Sequence, residues 1–159
     1  MACSDTPPRV AKDTESVTPA QITMQDVEIE ERDSNNILWT AHIATSSGDL
    51  GLSNAEKITL WIKQGDDENK KITVNSERGK FNFDDETAIL EEIHVKDATG
   101  GSLKAPKAYY QKTLGTVEVF GPLHFDAQGL TVTAQKGFIY SRENRAEFTG
   151  PVVGRYESR

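Results

Sequence analysis

Three times along this chain a small residue, two polar or proline positions and a second small residue recur, and the copies stand 29 residues apart. They are Ser76-Glu77-Arg78-Gly79, Ala105-Pro106-Lys107-Ala108 and Ala134-Gln135-Lys136-Gly137. Each is followed by an aromatic-bearing segment: Phe81 and Phe83, then Tyr109 and Tyr110, then Phe138 and Tyr140. A polar turn and another apolar run come next, at 87–90, 116–119 and 145–148. A looser copy, Ala41-His42-Ile43-Ala44, stands earlier in the chain. A fixed period of this length marks a supersecondary unit that cannot cover its own apolar face and buries it against the next copy. Small residues at one place in every unit predict close backbone approach there or a narrow end of the stack.

The runs between the repeats have a period of two. Ile37-Leu38-Trp39-Thr40-Ala41, Ile58-Thr59-Leu60-Trp61-Ile62, Lys71-Ile72-Thr73-Val74, Lys80-Phe81-Asn82-Phe83 and Ile93-His94-Val95 are examples. Thr116-Val117-Glu118-Val119, Leu123-His124-Phe125 and Leu130-Thr131-Val132-Thr133 continue the series. Apolar and polar residues alternating over four or five positions predict strands wet on one side. Turn-formers separate them, among them Gly48-Asp49, 65–69, Asp84-Asp85-Glu86, Gly100-Gly101, Gly121-Pro122, Gln128-Gly129 and Arg142-Glu143-Asn144. The best helix candidate, Asn54-Ala55-Glu56-Lys57, is one turn at most. The expectation is an all-β chain of short antiparallel strands with internal repeats, built as a meander, a sandwich or a solenoid-like stack. Residues 1–20 hold Pro7, Pro8 and Pro19 among polar residues without periodicity and read as a flexible tether. The folded domain is expected over 21–156, with 157–159 as a tail.

Composition narrows the function classes. The chain has 159 residues, enough for one domain with a core. Its net charge of -7 argues against a general nucleic-acid binder, which needs a basic face for phosphates. Mean hydropathy is -0.56, and no run reaches the roughly 18 apolar residues of a membrane span. Cys3 is the single cysteine, so no internal disulfide forms. Met1-Ala2-Cys3-Ser4 reads either as the remnant of a lipoprotein cleavage site, with a lipid on Cys3, or as an ordinary frayed terminus.

Catalytic and metal signatures are missing. His42, His94 and His124 are far apart and lack the short ligand spacing of a zinc site. The carboxylate clusters at Glu28-Glu30-Glu31-Asp33, Asp66-Asp67-Glu68 and Asp84-Asp85-Glu86 do not follow a calcium loop. No nucleophile stands in a recognisable setting. The chain is therefore expected to have no metal, no cofactor and no enzymatic activity. Its apolar strand positions fill a core or line an interior that accepts something long and apolar, and alternation alone is the same for both.

The order of features resembles the LptC family, which shares the OstA-like repeat with its partner LptA. Ile22-Thr23-Met24-Gln25-Asp26-Val27 leads through Leu38-Trp39-Thr40-Ala41-His42-Ile43-Ala44 to Leu52 and Ile58-Thr59-Leu60. The small-x-x-small repeats follow, and the pattern closes on Ala146-Glu147-Phe148-Thr149-Gly150-Pro151-Val152. The resemblance covers roughly 20–156 and lies in this collinear order, with the W-x-A-x-x-A opening favouring LptC over LptA. It implies an open, taco-like β-jellyroll in the periplasm that receives lipopolysaccharide from an inner-membrane LptBFG-type ABC transporter and passes it to an LptA-like bridge protein. It also implies an inner-membrane anchor, supplied by a helix absent here or by a lipid on Cys3. Burying an acyl chain of about 12 methylenes would be worth roughly 10 kcal/mol, so transfer needs one groove to continue into the next. Strand addition supplies that continuity.

Alternation and repeat position select the groove-lining residues this implies. They are Leu60, Ile62, Ile72, Val74, Phe81, Phe83, Ile93, Val95, Tyr110, Val117, Val119, Leu123, Phe125, Leu130, Val132, Ile139 and Phe148. A slip of one residue would invert any of these faces. The C-terminal segment 145–152, with Phe148, Gly150 and Val152, would meet the bridge protein, and residues 22–29 would face the transporter. Lys104, Lys107, Lys112, Lys136 and Arg142 are candidates for a basic rim near a phosphorylated sugar head. Two other readings stay open. One is a β-sandwich that binds carbohydrate or protein through Trp39, Trp61, Tyr109 and Tyr110; the other is an adaptor that adds strands to its partners without holding lipid.

Overall fold

The computed structural model describes residues 21–34, 36–49, 51–63, 71–140, 143 and 145–158. The calls on Cys3, the tether, the 65–69 turn and Arg142 lie outside them. Among the described residues ten antiparallel strands form one sheet: β1 (Ile22–Asp33), β2 (Asn36–Gly48), β3 (Leu52–Lys63), β4 (Lys71–Asn82) and β5 (Thr87–Lys96) come first. They are followed by β6 (Ser102–Gln111), β7 (Thr116–Ala127), β8 (Leu130–Tyr140), β9 (Arg145–Thr149) and β10 (Val153–Tyr156). The order is a meander from β1 to β8, after which β10 pairs with the first half of β8 and β9 with its second half. The all-β antiparallel class is thus the observed one.

The strands are longer than the sequence runs suggest, because each is bent in the middle. Pairing passes over Asp26 and Ala44 between β1 and β2, then over Lys57, Glu77, Glu92 and Pro106 on successive strands. It resumes past Gly121 and Pro122 opposite Gln135. These unpaired residues form a crease running across the whole sheet. Asp26, Lys57 and Glu92, on β1, β3 and β5, have φ near +50°, the left-handed region that turns a strand out of its plane. Pro106 sits in a central strand at the place where no ladder donor is required. The best helix candidate, 54–57, is extended strand within β3, with Lys57 at the crease.

The crease divides the sheet into two arms that fold toward each other. One arm ends on β10 and carries 27–33, 36–43, 58–63, 71–76, 93–96, 102–105, 123–127 and 130–134. The other ends on β9 and carries 22–25, 45–48, 52–56, 78–82, 87–91, 107–111, 116–120 and 136–140. From β4 onward the inner face beside the crease alternates in size from strand to strand. Ile58 stands between Ile43 and Ser76, Ile93 between Ser76 and Ala105, and Val119 between Ala108 and Gly137. The small-x-x-small repeat is therefore the even-numbered strand crossing the crease, where large side chains of both neighbours need room. In β2 the equivalent position is 43–46, where Ile43 departs from the small-residue pattern; the looser copy at 41–44 is out of step with the other strands because Ala44 itself is a crease residue.

Polar groups buried at the bend are partnered. Ser46 and Ser53 hydrogen-bond each other, and Ser76 Oγ lies 2.8 Å from the Arg78 carbonyl and 2.7 Å from that of Glu91. Among the described residues no buried side-chain nitrogen or oxygen lacks a partner.

Candidate functional site

The inner faces of the two arms enclose a groove. Its floor is the crease, packed by Ile93, Leu103, Ala105, Ala108, Val119, Leu123 and Ala134 on one side and Ile43, Ala55 and Ile58 on the other. Leu90 packs against both clusters, so the core is continuous along the floor. Above the floor the arms diverge. Between them, toward β9 and β10, lies a cavity of about 150 Å³. Ile72, Val95 and Phe125 line it from the β10 arm, and Ile139, Ala146 and Phe148 from the β9 arm. The Phe125 and Phe148 rings meet across it at 5.7 Å between centroids.

Every strand residue in the sequence-selected lining set lies on this inner face, as the register requires. Phe83 follows β4 and stacks on Phe81 at 6.3 Å. The set then divides by depth. Ile93, Val119, Leu123 and Val132 are buried and fill the floor. Leu60, Ile62, Ile72, Val74, Phe81, Val95, Tyr110, Val117, Phe125, Ile139 and Phe148 are half-buried along the walls, while Phe83 and Leu130 are exposed. Val27, Ile29, Ile43, Ala55, Ile58, Leu90 and Leu103 also belong to the inner face and were not selected. The signal was a spacing of three, as in Ala55 to Ile58 or Leu90 to Ile93, which is the crease read in sequence.

The inner face continues to both edges of the sheet. At the first edge Ile22 and Met24 remain 38% and 43% exposed; at the last, Leu130 and Tyr156 remain 38% and 71% exposed. The expected partner segment 145–152 is not one strand. β9 closes one arm, and Gly150-Pro151-Val152 turns the chain back toward β10, the edge of the other. Gly150 has φ +87°, and a Cβ there would stand 2.9 Å from Gln135 Cβ.

The expected basic rim does not form as a set. Lys104, Lys107 and Lys136 alternate with inner-face residues and project from the convex side. There Lys136 pairs with Glu118 and lies over the Phe120 and Phe138 rings, 5.4 and 4.9 Å from their centroids. Lys112 alone of the described candidates reaches the mouth of the groove, 3.0 Å from Glu86 and 3.2 Å from Glu31. These two carboxylates hold its ammonium above its ordinary range. At the cavity rim the turn after β5 is organised by Asp97. Burial pushes its carboxyl up, but the Thr99 hydroxyl and the backbone N–H groups of Gly101, Thr99 and Gly100 outweigh this and hold it below the usual carboxylate range.

The aromatic set of the carbohydrate-binding alternative is split. Trp39 and Tyr110 face inward; Trp61 and Tyr109 face outward, on different arms. The three histidines lie on the convex side of the β10 arm in one cross-strand row, with Lys104 between His94 and His124. Among the described residues no group of three or more His, Cys, Asp or Glu could hold a metal ion, and no helix is long and apolar enough to cross a membrane.

No family model matches the chain, and no curated protein matches it. One solved structure, LptH, the LptA-homologous periplasmic component of the conserved lipopolysaccharide transport device from Pseudomonas aeruginosa, aligns over 88% of this chain and 96% of its own at 8% identity. The TM-score is 0.35, and a likeness of that degree decides neither fold nor function.

Proposed function

We propose that this chain is a non-enzymatic carrier of lipopolysaccharide in the periplasm, holding acyl chains between its arms. In the finer form of this reading it has the LptC role. It takes lipopolysaccharide from an LptBFG-type transporter at the β1 edge and passes it to an LptA-like protein at the β9 and β10 edge, with an anchor to the inner membrane. The observation that carries the reading is the apolar inner face that runs from edge to edge and is left exposed at both ends. A β-protein built only around a closed core would cover Ile22, Met24, Leu130 and Tyr156. A carrier that continues its groove into a neighbour leaves them open. The collinear resemblance to the LptC family supports the choice of cargo.

Photo-crosslinking tests it. A crosslinker at Phe83, Phe125 or Ile139 should capture lipopolysaccharide in the presence of an energised transporter, and one at Trp61 or Phe138 on the convex face should not. Equal labelling of both faces, or none, would sink the carrier reading. Partner binding without any adduct would favour the adaptor.

A further inference from the structure

The cavity between the arms is about 150 Å³, a size that accommodates benzene in an engineered apolar site. The cavity opens along the groove, so a chain of a dozen carbons seated in it extends along the inner face, and the spacing of the arms sets how much of that chain they cover. Packing at the floor cannot regulate this, because it belongs to the crease. At the β1 end, however, a polar contact spans the mouth. Glu31 lies on the inner side of β1, opposite Trp39, whose indole N–H donates a hydrogen bond to Glu31 Oε2. Glu86 and Lys112 lie at the tips of the β4–β5 and β6–β7 hairpins of the other arm, where the Lys112 N–H donates to the Glu86 carbonyl at 3.1 Å. Lys112 Nζ then joins Glu86 at 3.0 Å and Glu31 at 3.2 Å. Among the described residues this is the only ion pair that links the two arms. The cavity lies toward the opposite end, and its walls carry no such link.

We propose that Lys112, held between Glu31 and Glu86, is a latch across the β1 end of the groove. Closed, it ties the tip of the β9 arm to β1; open, it lets the arms separate and admits an elongated apolar chain from that end. Partly exposed ion pairs are individually weak, which suits a contact that must open and reclose. Trp39 fixes Glu31 on the far bank, so the lysine meets a positioned acceptor. What passes the latch rests on the carrier reading, whereas the latch itself is a statement about the arms.

Spin labels at Glu28→Cys on the convex side of β1 and Thr113→Cys at the hairpin tip, with Cys3→Ser, report the separation by pulsed dipolar spectroscopy. The parent protein should give one short, narrow population. Lys112→Met should lengthen and broaden it, 1 M salt should act on the parent in the same direction, and Lys112→Arg should restore it. Identical distributions in the parent and Lys112→Met would overturn the latch. Uptake of a pyrene-labelled dodecanoate should be faster in Lys112→Met by about threefold, with Lys112→Arg matching the parent. Measurable uptake at equal rates in all three would also overturn it. Arms that open in Lys112→Met while no variant takes up the probe would support the latch and count against the carrier reading.

Discussion

At Gly79 an added Cβ would stand 2.6 Å from Ile58 Cδ1 and 3.0 Å from Leu90 Cδ2, so this position holds glycine because neighbouring strands send large side chains over it. Gly137 has the same relation to Leu123 Cδ2 at 3.2 Å and to the Phe148 ring. Gly79→Val should destabilise the fold by about 1–3 kcal/mol through overpacking, read as a lower urea midpoint. Ile58→Ala alone should cost about 2–5 kcal/mol, and the double variant less than the sum of the two. Strict additivity would show that the new side chain and Ile58 do not compete. Leu123, fully buried where the floor meets the cavity, gives a cleaner deletion: Leu123→Ala should cost about 3–5 kcal/mol. A different residue-scale effect belongs to His94. Burial, then Lys96 and Lys104, hold its imidazole below the ordinary 6.5. The unfolded chain therefore takes up a proton at pH values where the folded chain does not. The stability linked to this group is present above about pH 6.5 and is lost as pH falls below it. Wild-type protein should lose more of its urea midpoint between pH 7.5 and 5 than His94→Asn does. Parallel losses would remove His94 from the account.

The bend in each strand is the element-scale feature, and it makes a prediction that distinguishes odd from even strands. Lys57 and Glu92 hold φ of +51° and +52°, a region where a side chain costs about 1–2 kcal/mol and glycine costs little. Lys57→Gly and Glu92→Gly should therefore raise the thermal midpoint. Glu77→Gly, at the crease of β4 without positive φ, should lower it by the usual cost of glycine in a strand. The same bend explains what the sequence concealed. Alternation holds within 71–74 and again within 80–83, so β4 reads as two short strands; between them lies the crease residue Glu77, passed over opposite Lys57 and Glu92 with no shift of register. The three-residue step from Ala55 to Ile58, where plain alternation would step by two or four, is the same crease read along β3. In β7 an extra residue at Gly121-Pro122 restores the even spacing, and Val117, Val119, Leu123 and Phe125 share a face as plain alternation requires. Which strand residues share the inner face was legible because alternation is local. The crease, the arms and the contact of Lys112 with Glu31 were not, because they join segments far apart in the chain.

At the scale of the whole molecule the two ends of the sheet are unlike, and that asymmetry can be tested without knowing the route of the cargo. The last edge is made of β9 in one arm and β10 in the other, separated by the Gly150 turn, so a partner strand adding to it must meet a short edge in each arm. The first edge is the single bent strand β1. Tyr156 and Leu130 are exposed on the inner side of β10 and β8, and replacing both by lysine removes apolar contact at that edge while changing stability by less than about 0.5 kcal/mol. Such a variant should lose crosslinking from Arg155 to an LptA-type partner and keep whatever contact Ile22 and Met24 make at the other edge. The matching change, Ile22→Lys with Met24→Lys, should do the reverse. If each pair of substitutions weakens both contacts equally, the ends are not separate docking edges. A groove continued by strand addition in one direction would then have no basis in this sheet, since direction requires that each edge admit a different neighbour.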